Sequence, residues 1–347
     1  MLRQLARLTR PLPAAGPDAR AVAVYADPND EPIVARESGM EGVACVDDAA
    51  RLLDVLCDVW AVTRLPWIER WARDMLDFVL WMQETDGRWI NFVYDWEGTR
   101  NHHGLTSTVG ENFWHARALR ATTNAWLTFG DERAERAIHL GLDHAVTKDA
   151  PPDVRALHLE MARRLVRDAG KTLLLPAIRR WADEIASCRI DGVLMNSPFE
   201  RGVPHLWAHT QEGVLVDAAE LLEDPSLLGI AVASAERLLV PAVEAAFGGP
   251  SSTPYDVSST LFSLDRLATA TNDSAWTALA ADARAWFGDR NAVGRPVYDA
   301  GRGRVADGID EDRLNANSGA EANIEGANAL PSVAIEVAAQ MTPPFRD

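Results

Sequence analysis

Two consecutive segments, VACVDDAARLLDVLCDVWAVT (Val43–Thr63) and PWIERWARDMLDFVLWMQ (Pro66–Gln83), decide the fold of this chain. The first is apolar nearly all round, which is typical of a helix enclosed by other helices. The second carries one apolar stripe with charged residues on the opposite face, which is typical of a half-exposed outer helix. Because the link between them is short, we expect the two segments to form a helical hairpin.

The same alternation of buried-type and amphipathic segments continues to the C-terminus. By this periodicity we predict about eleven helices, with one short strand in AVAVYADPNDEPIV (Ala21–Val34) and almost no strand alternation elsewhere. Most links between helices are short. This pattern indicates stacked helical hairpins and not the βαβ units of a parallel sheet.

Three long loops interrupt the helices, and they recur like a repeat. They are DGRWINFVYDWEGTRNHHGLTST (Asp86–Thr108), DGVLMNSPFERGVPHLWAHT (Asp191–Thr210) and GRPVYDAGRGRVADGIDEDRLNANSG (Gly294–Gly319). Each contains short extended segments, follows an amphipathic helix and leads into a more apolar one. Their spacing, about a hundred residues, corresponds to two helical hairpins. Three such periods give six hairpins, so we predict an all-α (α/α)6 toroid with its long loops on one face.

Composition and charge exclude several classes of function. The formal net charge of -17 argues against nucleic acid and against an anionic membrane surface as partners. We found no signal peptide and no membrane span in the sequence, and three widely spaced cysteines give no disulfide framework. We therefore expect a cytoplasmic protein with a flexible N-terminal arm over residues 1–20 and a single toroid domain over residues 21–347.

Three loops end in the pattern [ST]-x-x-E, which is typical of a capping box at a helix N-terminus. The matches are Ser38–Glu41, Thr108–Glu111 and Ser318–Glu321. Any one of these glutamates can be explained as a cap, but together they would ring the mouth of a toroid with carboxylates. Glu325, one turn beyond Glu321, is expected to be either a buried partner for an arginine such as Arg51 or the floor of the pocket.

The segment VDDAAR places two more carboxylates on a strongly apolar helix. Asp47 can pair with Arg51 at i,i+4, which is an ordinary structural ion pair. Asp48 points about 100° away from Asp47 around the helix and lacks that partner in this interpretation. An unpaired aspartate here is costly unless it faces a wet cavity, so Asp48 is the better catalytic candidate.

The loops add aromatic and acidic side chains. Aromatic rings beside carboxylates, as in the first long loop, suit stacking on sugars and hydrogen bonding to hydroxyls, although the tryptophans can equally pack the loop down. The adjacent His102 and His103 have no third ligand at metal spacing, so no metal site is predicted. In the third loop the acidic run around Asp310 is interpreted as solvated, with Asp310 the exception.

These residues resemble the six-hairpin glycosidase-like superfamily. The resemblance rests on EGVACVDDAARLLDVL (Glu41–Leu56), on GRWINFVYDWEG followed by GENFWHARAL (Gly87–Leu119), and on LNANSGAEANIEGANALPSV (Leu314–Val333). It implies a carbohydrate-active enzyme, and first of all an inverting glycoside hydrolase with two carboxylates and no cofactor. Glu111 is then the general acid, and Asp48 or Glu321 the base.

Alternatives on the same fold are a sugar epimerase, a lyase, a phosphorylase or a non-catalytic carbohydrate-binding toroid. A terpene cyclase fits less well, because Cys45 stands where the first Asp of a D-x-D-D motif would be. The expected partner is a carbohydrate, and oligomeric state is not predicted. The predicted substrate-binding residues are Glu41, Asp47, Trp89, Tyr94, Asp95, His102, His103, Asn112, Trp114, His209, Glu212, Asp310 and Asn317.

Overall fold

Helices dominate the computed structural model, which describes residues 1–110 and 112–345. The helices of the described residues are α1 (Leu2–Leu8), α2 (Val46–Thr63), α3 (Pro66–Trp81), α4 (Phe113–Phe129), α5 (Glu132–Thr147), α6 (Pro152–Ala169), α7 (Leu175–Ser187), α8 (Gln211–Leu221), α9 (Pro225–Glu244), α10 (Pro254–Thr271), α11 (Ser274–Ala285), α12 (Ala320–Ala329) and α13 (Pro331–Gln340). From α2 onward, consecutive helices pair as six hairpins, as the periodicity predicted.

The strands are short and lie in the connections. They are β1 (Thr9–Pro11), β2 (Arg20–Val22), β3 (Tyr25–Ala26), β4 (Pro32–Ile33), β5 (Ala44–Cys45), β6 (Phe92–Val93), β7 (Arg189–Ile190), β8 (Val193–Leu194), β9 (Ser251–Ser252), β10 (Tyr298–Asp299), β11 (Arg304–Val305), β12 (Gly308–Asp310) and β13 (Arg313–Asn315). The pairs β1–β2, β3–β4, β5–β6, β7–β8, β10–β11 and β12–β13 are antiparallel, and β9 also pairs with β12.

The chain divides into two compact units. The first unit comprises Met1–Asp149, Tyr298–Asp307 and the described residues from Ala316 onward, and the second comprises Ala150–Val297 and Gly308–Asn315. In the first unit, α2 packs against α3, α4, α12 and α13. In the second unit, α8 packs against α6, α7, α9 and α10. In each unit one helix, α2 or α8, therefore packs against four others.

Gly87 and Gly192, near the starts of the first two long loops, have backbone conformations that favour glycine. Gly87 has φ +91° and Gly192 has φ +85°, a region that side chains with a Cβ rarely adopt. A Cβ on Gly87 would also lie 2.1 Å from the carbonyl oxygen of Leu140 in α5. Each glycine lets the chain leave an outer helix, α3 or α7, and turn into a long loop. The glycine that recurs near the start of the long loops therefore corresponds to a repeated backbone turn.

Two helices were missed by the periodicity, α1 and α13. The arm predicted to be flexible contains α1, in which Leu2, Leu5 and Leu8 are fully buried and packed with α12 and α13. Pro331 directly follows the segment Asn317–Leu330 and is the first residue of α13, where the missing N–H of proline costs nothing. The single-domain boundary at residue 21 stays a prediction.

Two details of the outer helices also differ from expectation. Asp74, predicted on the exposed face of α3, is 5% exposed and accepts a 3.2 Å hydrogen bond from Arg20. By length and composition alone, α9 is the one described helix that could cross a membrane. Its apolar residues Leu227, Leu238 and Leu239 are buried inside the second unit.

Candidate functional site

Arg51 of α2 gathers four carboxylates in the first unit. Its Nη2 donates to Asp48 Oδ1 at 2.6 Å, to Glu321 Oε2 at 3.0 Å and to Asp47 Oδ2 at 3.3 Å. Its Nη1 donates to Glu325 Oε1 at 2.8 Å. The Arg51 side chain is only 3% exposed, so these bonds form in a poorly screened environment. We call Arg51 and these four carboxylates the Arg51 cluster.

Asp48 is a buried acid of the Arg51 cluster that also bonds to a thiol. Its Oδ2 accepts a bond from the Cys45 thiol at 3.4 Å, and its backbone N–H donates to the same sulfur as the N-cap bond of α2. Burial raises its pKa to about 7 although Arg51 opposes the shift. The interpretation that Asp48 lacks Arg51 as a partner is wrong, because at i,i+3 the flexible arginine reaches it as well as Asp47.

Asp47 has the structural surroundings that were predicted for it. It pairs with Arg51 and also accepts a bond from Arg117 of α4, so it links two inner helices. Its backbone N–H donates to Asn91 Oδ1 at 3.0 Å, which ties the head of α2 to the first long loop. These bonds connect α2 to α4 and to the first long loop, which is a structural role for Asp47.

Glu321 is the acid of the Arg51 cluster that reaches solvent. Its side chain is 46% exposed, whereas those of Asp48 and Glu325 are 3% and 5% exposed. Burial nevertheless raises the pKa of Glu321, with Arg51 opposing the shift. Exposure to water together with a raised pKa indicates a carboxylate at a concave, wet surface. Of the two predicted surroundings of Glu325, the ion pair with Arg51 is confirmed.

Tyr25 lies beside the Arg51 cluster and was missed by the sequence analysis. The N–H of Ala320 donates to Val24 O at 2.8 Å, which brings the start of α12 against β3. The Tyr25 hydroxyl donates to Glu37 Oε1 at 2.6 Å. Burial raises the pKa of Tyr25, and the charges of Glu37, Asp48 and Glu321 raise it further. No motif marked this tyrosine, because its neighbours are brought to it from the far end of the chain.

The predicted capping boxes are wrong where the structure describes them. Glu41 lies in a loop before β5 and accepts bonds from the Thr106 hydroxyl and from the Glu37 N–H. The Ser318 hydroxyl donates to Val305 O at 2.7 Å, and Glu321 pairs with Arg51 instead of bonding back. The N–H of Gly319, the N-cap residue of α12, donates to Asp307 Oδ1 at 2.7 Å.

At the head of α4 the cap is Asn112 and not Thr108. The Asn112 Oδ1 accepts the N–H of His115 at 3.1 Å, which gives this predicted binding residue a structural role. Glu111, the predicted general acid, lies outside the described residues. A complete capping box is present at α10, between Thr253 and Asp256, where the sequence analysis did not place one.

The predicted aromatic residues Trp89, Tyr94 and Trp114 are engaged in packing and hydrogen bonds at the first long loop. Trp89 is fully buried, and its indole N–H donates to Val79 O at 2.8 Å, so it packs the loop against α3. Trp114 is tied to the same loop, with its indole N–H on Trp89 O at 3.1 Å. The Tyr94 hydroxyl donates to Asn101 Oδ1 at 2.8 Å, and Asp95 accepts the Thr99 N–H at 3.0 Å. These side chains shape the loop.

Four further predicted substrate-binding residues, His102, His103, Asn317 and Asp310, lie nearer the surface. His102 and His103 are exposed at the tip of the first loop, with ring centroids 6.4 Å apart. Asn317 is half-buried and its carbonyl accepts the Asp307 N–H at 2.9 Å. Asp310, in the second unit, is exposed and accepts a 3.2 Å bond from Asn315 across the β12–β13 hairpin. Asp310 is thus solvated like the rest of its acidic run.

In the second unit, His209 and Glu212 meet in a fully buried polar network. His209 Nε2 is 3.1 Å from Glu212 Oε1, and its Nδ1 is 2.6 Å from Asn196 Oδ1. The Ser234 hydroxyl donates to Glu212 Oε1 at 2.6 Å. Burial alone would raise the pKa of Glu212, but His209 and Ser234 outweigh it and lower the pKa. The sequence marked His209 and Glu212 as separate binding candidates, whereas Asn196 and Ser234 carried no signal.

No protein-family model and no curated protein matches this chain. Solved structures do match over most of its length. A sugar epimerase from a ruminal bacterium is 10% identical with a TM-score of 0.73, covering 98% of this chain and 96% of its own. A D-mannose isomerase is 12% identical with a TM-score of 0.68, covering 97% and 96%.

A family GH76 α-mannanase of Bacteroides thetaiotaomicron is 12% identical with a TM-score of 0.57, covering 86% of this chain and 88% of its own. At such low identities these likenesses establish the fold alone. The chain has the (α/α)6 toroid fold, so the predicted fold class is confirmed, and the resemblance holds at the level of the fold.

Proposed function

We propose that this protein is a carbohydrate-active enzyme that epimerises or isomerises a sugar by proton transfer at the Arg51 cluster. One observation carries the proposal: Asp48 and Glu321 are hydrogen-bonded to the same nitrogen of Arg51. A base beside a fixed cation is the pairing that enolisation needs. The base removes a proton from the carbon next to a carbonyl, and the cation stabilises the oxyanion that develops.

The two acids have different roles in this proposal. Glu321, open to solvent, takes the proton from the substrate carbon and returns it on the other face or to the neighbouring carbon. Asp48 changes the charge of the Arg51 cluster, because its pKa of about 7 lets it gain or lose a proton near neutral pH. When Asp48 is protonated, more of the positive charge of Arg51 is left for the substrate oxygen.

The full-length likeness to an epimerase and an isomerase supports this reaction class over hydrolysis. A two-carboxylate hydrolase places the sugar between its acids, with the carboxyls ~5–5.5 Å apart in retaining and ~6.5–9.5 Å apart in inverting enzymes. Between Asp48 and Glu321 the space is filled by the guanidinium of Arg51. This pair is therefore not placed as the acid and base of a hydrolase, which would need another acid.

Incorporation of carbon-bound deuterium from D2O tests the proposed reaction. The enzyme is incubated with D-mannose, D-glucose and a mannobiose in D2O, and the products are followed by proton NMR. Enolisation incorporates deuterium at the carbon next to the carbonyl and gives an epimer or a ketose. If the sugars remain unlabelled while the mannobiose is cleaved, the proposed reaction is overturned in favour of hydrolysis.

Inverting glycoside hydrolysis is the second candidate, and the exposure of Glu321 favours it. An open carboxylate is also the arrangement of a general base that activates water. Glu111 would then be the general acid, as the sequence predicts, and the α-mannanase likeness supports a mannoside substrate. Release of reducing sugar from aryl mannosides, with inversion at the anomeric carbon and no carbon-bound deuterium, would support this candidate.

A further inference from the structure

Two aromatic rings stack in the second long loop, at a place that the proposed reaction does not use. His205 and Trp207 lie in the segment between β8 and α8, with ring centroids 3.7 Å apart and planes only 5° from parallel. Trp207 is 40% exposed. Tyr255, at the start of α10, flanks the indole with its centroid 6.4 Å away. We call His205 and Trp207 the aromatic stack.

The aromatic stack is held by hydrogen bonds at both residues. The His205 carbonyl accepts a 2.9 Å bond from Asn196 Nδ2, whose other amide atom belongs to the buried His209 network. The backbone N–H of Trp207 donates to the carboxylate of Asp256, the acid of the α10 capping box. The stack is thus tied through Asn196 to the buried His209 network and through Asp256 to α10, so the 40% exposed indole is preorganised.

These bonds also fix the protonation of the imidazole. His205 Nδ1 is 2.9 Å from Trp207 O, and a carbonyl only accepts, so Nδ1 carries the proton. Burial lowers the pKa of His205, and the ring is therefore neutral at pH 7. In a neutral ring with this tautomer Nε2 is an acceptor, and no described residue donates to it. The stack therefore offers an apolar face and an unused acceptor side by side.

We propose that the aromatic stack is a binding subsite for a neutral hexopyranose ring. The indole face packs against the apolar C–H face of the sugar, and His205 Nε2 accepts a hydrogen bond from a hydroxyl. The carboxylates of Glu200 and Asp256 act on the same imidazole, which disfavours uronic acids and sugar phosphates. This inference rests on the proposed function only in taking a carbohydrate as the ligand.

Binding of methyl α-D-mannopyranoside and methyl β-D-glucopyranoside tests the subsite without turnover, because these glycosides have no free carbonyl. Saturation-transfer NMR and calorimetry are run on the full chain and on Trp207→Ala, Trp207→Phe and His205→Gln. Loss of an aromatic contact is worth about 0.5–1.5 kcal/mol, so we expect Trp207→Ala to raise Kd by roughly two- to tenfold. Trp207→Phe keeps an aromatic ring, so we expect its Kd to lie closer to that of the wild type than the Kd of Trp207→Ala does.

Phe199→Ala is the matched control. Phe199 is 87% exposed in the same loop but lies outside the aromatic stack, so its removal should leave Kd unchanged. Circular dichroism melting establishes that each variant is folded. Should Trp207→Ala not fold, His205→Gln still removes the stacked ring while Trp207 remains.

The outcomes separate this inference from the proposed function. Equal Kd values for the wild type, the folded stack variants and Phe199→Ala would overturn the subsite while leaving a carbohydrate enzyme intact. Absence of binding of any tested glycoside or free sugar to the wild type would overturn both. Tighter binding of methyl glucuronide than of the neutral glycosides would overturn the assigned ligand class.

Discussion

Arg51 shows how much of the candidate site depends on one residue. A single guanidinium serves two acids of its own helix and two of α12, which lie about 270 residues further along the chain. Such a group is costly to bury, and its removal leaves carboxylates without their counterion. Two pairs of Arg51 could be predicted from the sequence: Asp47 from its i,i+4 spacing, and Glu325 as an acid on a buried helix. The sequence did not reveal that all four acids share one arginine.

Replacing Arg51 with alanine should therefore destabilise the protein strongly. We expect a loss of about 3–5 kcal/mol in the free energy of unfolding, as is usual when one partner of a buried ion pair is removed. Urea denaturation followed by circular dichroism measures it. The control is Arg88→Ala, whose partner Asp86 is 46% exposed, and it should cost no more than about 1 kcal/mol. Equal losses in the two variants would contradict the cluster as described.

Asp48 should make the stability depend on pH. Its pKa is raised from 3.8 to about 7, so between these values folded Asp48 keeps a proton that the unfolded chain has lost. Its contribution to the free energy of unfolding is therefore present at low pH and is lost as the pH rises through 7.

The comparison of wild type with Asp48→Asn isolates this contribution, because the other shifted acids are common to both proteins. We expect the wild type to lose more stability than the variant between about pH 5 and pH 8. Urea midpoints at the two pH values measure the difference. Parallel losses in the two proteins would show that Asp48 does not carry a raised pKa.

At the scale of helices and loops, the periodicity of the sequence was a better guide than its capping motifs. Five of the six hairpins follow from alternating apolar and amphipathic segments, because burial decides where such helices pack, whereas the periodicity missed α13 of the sixth. The described glutamates of the [ST]-x-x-E matches, Glu41 and Glu321, bond to distant side chains instead of to a helix cap. Glu41 stands five residues before α2 begins and bonds Thr106 instead. A local pattern cannot show which distant group competes for a side chain.

The helix heads of the second unit provide a matched test of real and apparent caps. Thr253 caps α10 through its hydroxyl, whereas Thr210 stands at the same position of α8 without a side-chain cap bond. We expect Thr253→Ala to lower the free energy of unfolding by about 1 kcal/mol and Thr210→Ala to have a much smaller effect. Thermal melts of both variants measure the difference. A larger loss for Thr210→Ala would contradict the assigned caps.

At the scale of the whole molecule, the sequence predicted the fold more fully than the site. Hairpins, loop positions and the (α/α)6 class follow from patterns repeated along the chain. The site depends on contacts between residues far apart, such as Tyr25 with the head of α12, and on burial, as for Trp89 and His209. The short α1 was missed because seven residues are too few to display a helical period.

The most direct test of the central claim is deuterium incorporation by the wild type and by Glu321→Gln. Because the Glu321 side chain is 46% exposed, the substitution should leave the melting temperature nearly unchanged. We predict that the wild type incorporates carbon-bound deuterium into a free hexose in D2O and that Glu321→Gln, fully folded, loses at least about a hundredfold in rate. Equal rates of incorporation in the two proteins, or no incorporation by the wild type, would contradict the account.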